Sequence, residues 1–127
     1  MDPPLELIPL PGTYTIHRLH PVQALPELGE GFHSVTNTGE EVSVVCLENI
    51  CIHSEKSSTG WKCIRVAGPL DLDLSGILHD LIRPLKMERI SIFAISTYNT
   101  DYLLIPGKSY HRAIELLSAT YQIKSQP

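Results

Sequence analysis

Residues 90–105, ISIFAISTYNTDYLLI, constrain the fold of this chain more than any other stretch. Apolar side chains occupy both faces of residues 90–95 and of residues 103–105, and a polar corner at residues 97–101 separates them. Short strands that are apolar on both faces are typical of the centre of a covered sheet. The stretch therefore predicts a hairpin of two buried strands, with the carboxylate of Asp101 at the edge of the buried apolar core.

The composition is that of one globular domain or two very small ones. The chain has 127 residues, 43% hydrophobic and 19% charged, and no run reaches the roughly 18 apolar residues of a membrane span. Its net charge is −4 and its basic residues are scattered, which argues against nucleic acid as the main partner because phosphate binding needs clustered basic side chains. The N-terminus lacks the pattern of a signal peptide, so we expect a cytoplasmic location.

Neither the cysteines nor the histidines indicate a catalytic or metal site. Cys46, Cys51 and Cys63 have no paired spacing, so each is interpreted as a small hydrophobe in or beside a strand rather than as part of a disulfide framework or zinc site. HxxxH, CxxC and GxSxG patterns are absent from the sequence, and so is a glycine-rich phosphate loop. We therefore expect no enzymatic activity, no metal and no cofactor.

The first half of the chain, residues 1–57, is predicted to be a strand-rich lobe without a long helix. Candidate strands lie at residues 5–8, 13–19, 32–36 and 41–47. Pro9 and Pro11 should keep the first of these short or at a sheet edge. The polar run at residues 53–60 is the predicted internal boundary. Without an amphipathic helix, this half is not expected to bury a core alone.

The second half, residues 58–127, has the predicted order strand, helix, strand, strand, helix, strand. Its elements are expected at residues 62–67, 74–85, 90–95, 103–105, 110–117 and 121–124. Asp73 and Ser109 are the expected N-caps of the two helices, and Pro84 should kink the first. This order predicts an α+β fold, the ferredoxin-like βαββαβ sandwich, with two helices on one face of a four-stranded antiparallel sheet.

One group of residues indicates a ligand site. The first strand of this half ends at Gly68 and the helix begins near Leu74, so the helix N-terminus offers free backbone N–H groups and a partial positive charge. Asp71 and Asp73 lie beside it, and the hairpin brings Asp101 to the end of a sheet. Donors beside carboxylates suit a zwitterion, with its carboxylate on the helix end and its ammonium on an aspartate. The alternative is that these aspartates only cap the helix and turn the chain.

Several stretches resemble ACT-domain proteins of the small tandem, two-lobed type. They are residues 54–56, 60–63, 66–70, 75–78 and 90–102 in the second half, and residues 14–19 and 34–43 in the first. The string STYNTDY, residues 96–102, is the most specific of them. Such proteins are related to the CASTOR-like arginine sensors and to the regulatory domains of aspartate kinases. The resemblance implies two tandem ACT-like lobes with antiparallel sheets, which bind small ligands at lobe or subunit interfaces.

The resemblance also implies which residues contact the ligand. They lie in the turn after the first strand of the second half and in the Thr-aromatic-x-x-Asp corner: Gly68, Asp71, Leu74, Ser75, Thr97, Tyr98 and Asp101. The prediction is a non-catalytic regulatory module that binds an amino acid, forms a homodimer and acts on a regulated protein partner. The alternative is a protein-interaction adaptor that uses its sheet face or edge and binds no metabolite.

Overall fold

The computed structural model describes residues 5–68 and 76–124, and the chain divides into two compact units. One unit is Gly12–Trp61, and the other combines Met1–Pro11 with Lys62–Pro127. The elements are β1 (Glu6–Pro9), β2 (Tyr14–Leu19), β3 (Ser34–Asn37), β4 (Val42–Leu47), β5 (Lys56–Val66), α1 (Ile77–Met87), β6 (Phe93–Ser96), β7 (Asp101–Pro106), α2 (Gly107–Ser118) and β8 (Gln122–Ile123).

The predicted first lobe was residues 1–57, whereas the observed unit is Gly12–Trp61, so the two differ at both ends. β1 pairs with β5 and β8, so the start of the chain belongs with the second half. The polar run expected to be a linker instead contributes residues 56–60 to β5. Its serines and threonine form a strand because they pair with β2 through backbone hydrogen bonds, which do not require apolar side chains.

The unit Gly12–Trp61 is an antiparallel sheet in the order β3-β4-β2-β5. Alternate residues of β2 and β4 point to one face, where Leu19, Val42, Val44 and Cys46 form a buried cluster. Leu28, Ile50 and Ile52 from the loops pack against it. The described residues of this unit form no long helix, as predicted, and the one or two helical turns thought possible at residues 22–28 are absent as well. The expectation that the unit would have no core of its own was wrong. The loops supply the cover that a helix would otherwise give.

A buried histidine lies on β2 in this unit. His17 is 7% exposed, its Nδ1 lies 3.1 Å from Ser54 Oγ, and its Nε2 is buried without a partner among the described residues. Burial lowers the pKa of the His17 imidazole because desolvation disfavours the charged form. The folded unit therefore disfavours the protonated form of this side chain.

Acidification is expected to destabilise the protein through His17. Below about pH 6.5 the unfolded imidazole takes up a proton that the folded one resists. The unfolded state then binds more protons, so the free energy of unfolding falls with pH, by at most about 1.4 kcal/mol per unit from this group. Urea unfolding measured between about pH 5 and pH 8 should show this slope, and His17→Gln should flatten it. The same substitution at the exposed His79 is the control, and an equal flattening there would contradict the role of His17.

The second unit has the strand order β6-β7-β5-β1-β8, with β1 inserted between β5 and β8. Leu7 pairs with Val66 in the antiparallel β1–β5 ladder and with Ile123 in the parallel β1–β8 ladder. The predicted βαββαβ order is therefore correct, but its sheet is mixed and has five strands rather than four antiparallel ones. β1 is short, as Pro9 and Pro11 predicted, but it is not an edge strand.

The two helices share one core with this sheet. Its buried members are Leu7, Ile64, Val66, Leu81, Leu85, Leu103, Ile105, Ala113 and Leu117. Pro84 lies inside α1 as predicted, whereas the N-cap of α1 is Gly76 at φ 83°, so Asp73, which lies outside the described residues, does not take that position. The N-cap of α2 is Pro106 rather than Ser109. With 11 and 12 residues, neither described helix is long and apolar enough to cross a membrane.

The hairpin of β6 and β7 is only half buried, which corrects the prediction of two buried strands. Leu103, Leu104 and Ile105 of β7 are completely buried, because β7 lies between β5 and β6. In β6 the half-buried Phe93 and Ile95 alternate with exposed residues, since β6 pairs with β7 alone among the described strands. An apolar run thus identified both strands, but it did not distinguish a central strand from an edge strand.

Candidate functional site

The corner between β6 and β7, residues 97–101, is a closely hydrogen-bonded turn. The backbone N–H of Thr97 donates to the carbonyl oxygen of Thr100 at 2.8 Å, and Thr97 Oγ1 donates to the same oxygen at 3.0 Å. The backbone N–H of Thr100 donates to Thr97 Oγ1 at 3.3 Å. These bonds satisfy the turn internally and leave the side chains of Tyr98 and Asn99 exposed.

Thr100 fastens this corner to the end of β5. Its side chain is 6% exposed, and Thr100 Oγ1 donates to the carbonyl oxygen of Val66 at 2.7 Å. Val66 is the last residue of β5 and lies two residues before Gly68. The corner is therefore joined to the end of β5 by a buried hydrogen bond between residues 34 positions apart.

Thr100 was not among the predicted site residues. In the sequence it is one of two threonines in a polar corner, and nothing local distinguishes it from the exposed Thr97. The available signal was the place of Thr100 directly before the buried strand β7. Side chains alternate between the two faces of a strand, and a hydroxyl on the buried face must find a hydrogen-bond partner.

Asp101 begins β7 opposite Ser96, the last residue of β6. Ser96 Oγ donates to Asp101 Oδ1 at 2.5 Å, and the aspartate is half-buried. Tyr98, three residues earlier, is 80% exposed. A carboxylate near an exposed aromatic ring suits a cationic group, by charge-assisted hydrogen bonds and by cation–π attraction.

Four of the seven predicted site residues lie in the described part of the chain. Thr97, Tyr98 and Asp101 share the corner, and Gly68 is exposed just beyond β5. Asp71, Leu74 and Ser75 lie outside the described residues. In the described part, no three His, Cys, Asp or Glu side chains are grouped closely enough to hold a metal ion.

The cysteines are placed largely as predicted. Cys46 in β4 and Cys63 in β5 are completely buried, which confirms their interpretation as small hydrophobes. Burial raises the pKa of the Cys46 thiol and raises that of Cys63 to about 12, so both stay protonated and unreactive at neutral pH. Cys51 is exposed in the loop after β4, and the prediction was wrong for this residue.

Comparison with protein families and known proteins gives matches to both halves of the chain. The model of the ACT domain matches residues 56–119. A second model, described as an N-terminal domain, matches residues 12–53.

The relatives include a curated human protein and two solved structures. The human cytosolic arginine sensor for mTORC1 subunit 1 is 39% identical over 64 residues, which cover 48% of this chain and 20% of the sensor. A protein of Agobacterium tumefaciens with a crystal structure is 33% identical, with a TM-score of 0.88 over 99% of this chain and 96% of that chain.

The second solved structure is E. coli aspartokinase III in complex with aspartate and ADP. It matches 94% of this chain with a TM-score of 0.61 and 13% identity, over 34% of its own length. At this identity the likeness concerns the fold alone. The chain spans about a fifth of the length of the curated relatives that it matches.

Proposed function

Because this chain belongs to the ACT-domain family, we propose that it is a non-catalytic regulatory module that binds an amino acid at the Thr97–Asp101 corner. ACT domains typically bind small ligands such as amino acids. The observation that supports this site is the buried hydrogen bond from Thr100 to Val66. It joins the corner that carries an acidic and an aromatic side chain to the end of β5.

In the proposed complex the ligand is held at both of its charged ends. Its ammonium group lies against Asp101, whose second carboxylate oxygen has no partner among the described residues. Its carboxylate lies against backbone N–H groups of the turn after Gly68, and Asp71, Leu74 and Ser75 complete the site in this proposal. The ring of Tyr98 covers the ligand on the solvent side.

The binding signal in this proposal is a shift between two packings of the module. A ligand that binds one arrangement better than the other increases its population in proportion to the difference in affinity. We expect the module to form a homodimer. We also expect a regulated protein partner to respond to the population of the favoured arrangement.

An amino acid that fits the site is expected to raise the thermal stability of the protein. At a ligand concentration 100 times the dissociation constant, the gain in free energy of unfolding is about 2.7 kcal/mol. Thermal unfolding against each of the twenty amino acids at millimolar concentration measures it. No shift with any of them would contradict the proposal.

The matched variants are Asp101→Asn and Asp80→Asn. Asparagine at position 101 keeps an oxygen for the Ser96 hydroxyl but removes the charge, so the affinity should fall at least about tenfold, or about 1.4 kcal/mol. Asp80 is exposed on α1, and its substitution should leave the shift unchanged. Equal losses in the two variants would argue against a role for Asp101.

The adaptor alternative has one observation in its favour. β6 pairs with β7 alone among the described strands, and a strand with a free edge can add a strand of another protein. This function predicts that the stability of the protein is indifferent to all twenty amino acids, and that Asp101→Asn leaves partner binding intact.

A further inference from the structure

The solvent-facing side of α1 carries a basic stripe, which we define as His79, Ile82, Arg83, Lys86 and Met87. These residues line an open concavity of about 600 Å³, and the half-buried Ile82 also packs against the core that contains Leu81 and Leu85. Met87 is 76% exposed although it is apolar. Apolar side chains set among cations in a concave surface suit a docking partner that is acidic and partly apolar.

The charge of this stripe is not neutralised within the described part of the chain. Arg83 and Lys86 make no ion pair with any described residue. Glu88, which follows the helix directly, is engaged by Arg112 of α2 through two hydrogen bonds of 2.9 and 2.8 Å. In a protein of net charge −4, Arg83 and Lys86 are thus exposed cations that form no ion pair within the described part of the chain.

The same chain exposes a segment of complementary chemistry. Residues 21–30, PVQALPELGE, contain two glutamates and no lysine or arginine, and we call them the acidic segment. Glu27 and Glu30 are exposed, and so are the apolar Val22 at 85% and Leu25 at 46%.

The acidic segment is held in place although it contains no helix or strand. The Gln23 side-chain amide donates to the carbonyl oxygen of His53, and Leu28 packs on the core of its unit. A segment that is already ordered loses less conformational entropy when it binds.

We propose that the acidic segment of one copy of this chain docks on the basic stripe of a second copy. Glu27 and Glu30 then face Arg83 and Lys86, and the exposed Val22 and Leu25 cover Met87 and Ile82. The contact joins two different surfaces, so each copy can supply one of them to a neighbouring copy. The charges direct the encounter and the apolar side chains supply the buried area. This inference does not rest on the proposed ligand site.

Sedimentation velocity of the full chain, between about 1 μM and 1 mM without added amino acids, is the test. We expect an association that strengthens with protein concentration. It should weaken at least about tenfold between about 0.05 and 0.5 M salt, because ions screen the facing charges. A monomer over the whole range would overturn the proposal.

Charge reversals locate the contact. The double variants Arg83→Glu/Lys86→Glu and Glu27→Lys/Glu30→Lys should each weaken the association at least about tenfold. The control Lys56→Glu/Lys108→Glu makes the same change of net charge as the Arg83→Glu/Lys86→Glu variant, at exposed positions outside both surfaces, and should leave the association unchanged. A loss in the first variant alone, or an equal loss in the control, would overturn the acidic segment as the occupant.

Mixing the two weakened variants adds a test that misfolding cannot imitate. The stripe variant keeps its acidic segment and the segment variant keeps its stripe, so an equimolar mixture regains one native contact. A chain that carries all four reversals should associate again, with the charges exchanged. Absence of both recoveries would contradict the pairing. A thermal-shift screen without any hit would contradict the proposed ligand site and leave this inference standing, because the docking contact does not involve that site.

Discussion

Replacing Leu103 with alanine is expected to lower the free energy of unfolding by about 2–5 kcal/mol. Leu103 is completely buried at the centre of β7 and belongs to the core that the sheet shares with α1 and α2. Truncation removes the burial of three carbon atoms and leaves a cavity, because close-packed neighbours relax only in part. Chemical denaturation, with the slope compared between the two proteins, measures this loss.

The matched control for this core substitution is Leu25→Ala. Leu25 is 46% exposed, so the same chemical change there should alter the free energy of unfolding by less than about 0.5 kcal/mol. A loss below about 1 kcal/mol for Leu103→Ala, or similar losses at both positions, would contradict the central position of β7.

Thr100→Val is expected to cost about 1–3 kcal/mol although valine has nearly the same shape as threonine. The substitution removes the hydroxyl that donates to the carbonyl oxygen of Val66 in a buried setting, and that oxygen loses this donor. If the corner binds a ligand, the affinity should also fall at least about tenfold, because Asp101 and Tyr98 are then less firmly placed.

The control for Thr100→Val is the same exchange at Thr36, which is exposed on β3. It should change the stability by less than about 0.5 kcal/mol and leave ligand affinity untouched. Unfolding by urea and binding calorimetry on the three proteins separate the two effects. A stable Thr100→Val protein with unchanged affinity would mean that the hydrogen bond to Val66 does not organise the corner.

The elements of the second half could largely be predicted because their signals are local. The stripe that includes Leu78, Leu81 and Leu85 predicts α1, since burial of one face of a helix repeats every three to four residues. The run at residues 103–105 predicts β7 by its lack of a polar face, and the order of such elements predicts βαββαβ. Residues 97–101 of the candidate site come together because they are neighbours in sequence.

The partners of these elements could not be predicted in the same way. β1 lies between β5 and β8, and its ladder joins Leu7 to Val66. A local pattern of apolar residues does not indicate which strand, tens of positions away, will form backbone hydrogen bonds with β1. The same limit explains why β6 was expected to be central and why Thr100 was overlooked. The N-caps are Gly76 and Pro106, although Asp and Ser are the preferred residue types at this position and the sequence offered Asp73 and Ser109.

By itself, the sequence determined both helices and the position of most strands, because burial leaves a period of two or of three to four in the chain. It also determined which family the chain resembles. Only the tertiary structure decided which strand is central, that β1 enters the sheet, and that the Thr97–Asp101 corner is fastened to the end of β5. These depend on backbone and side-chain groups that find their hydrogen-bond partners across long sequence separations. The apolar stretch at residues 90–105 thus established the hairpin, whereas pairing with β5 buried one of its strands and left the other at the edge.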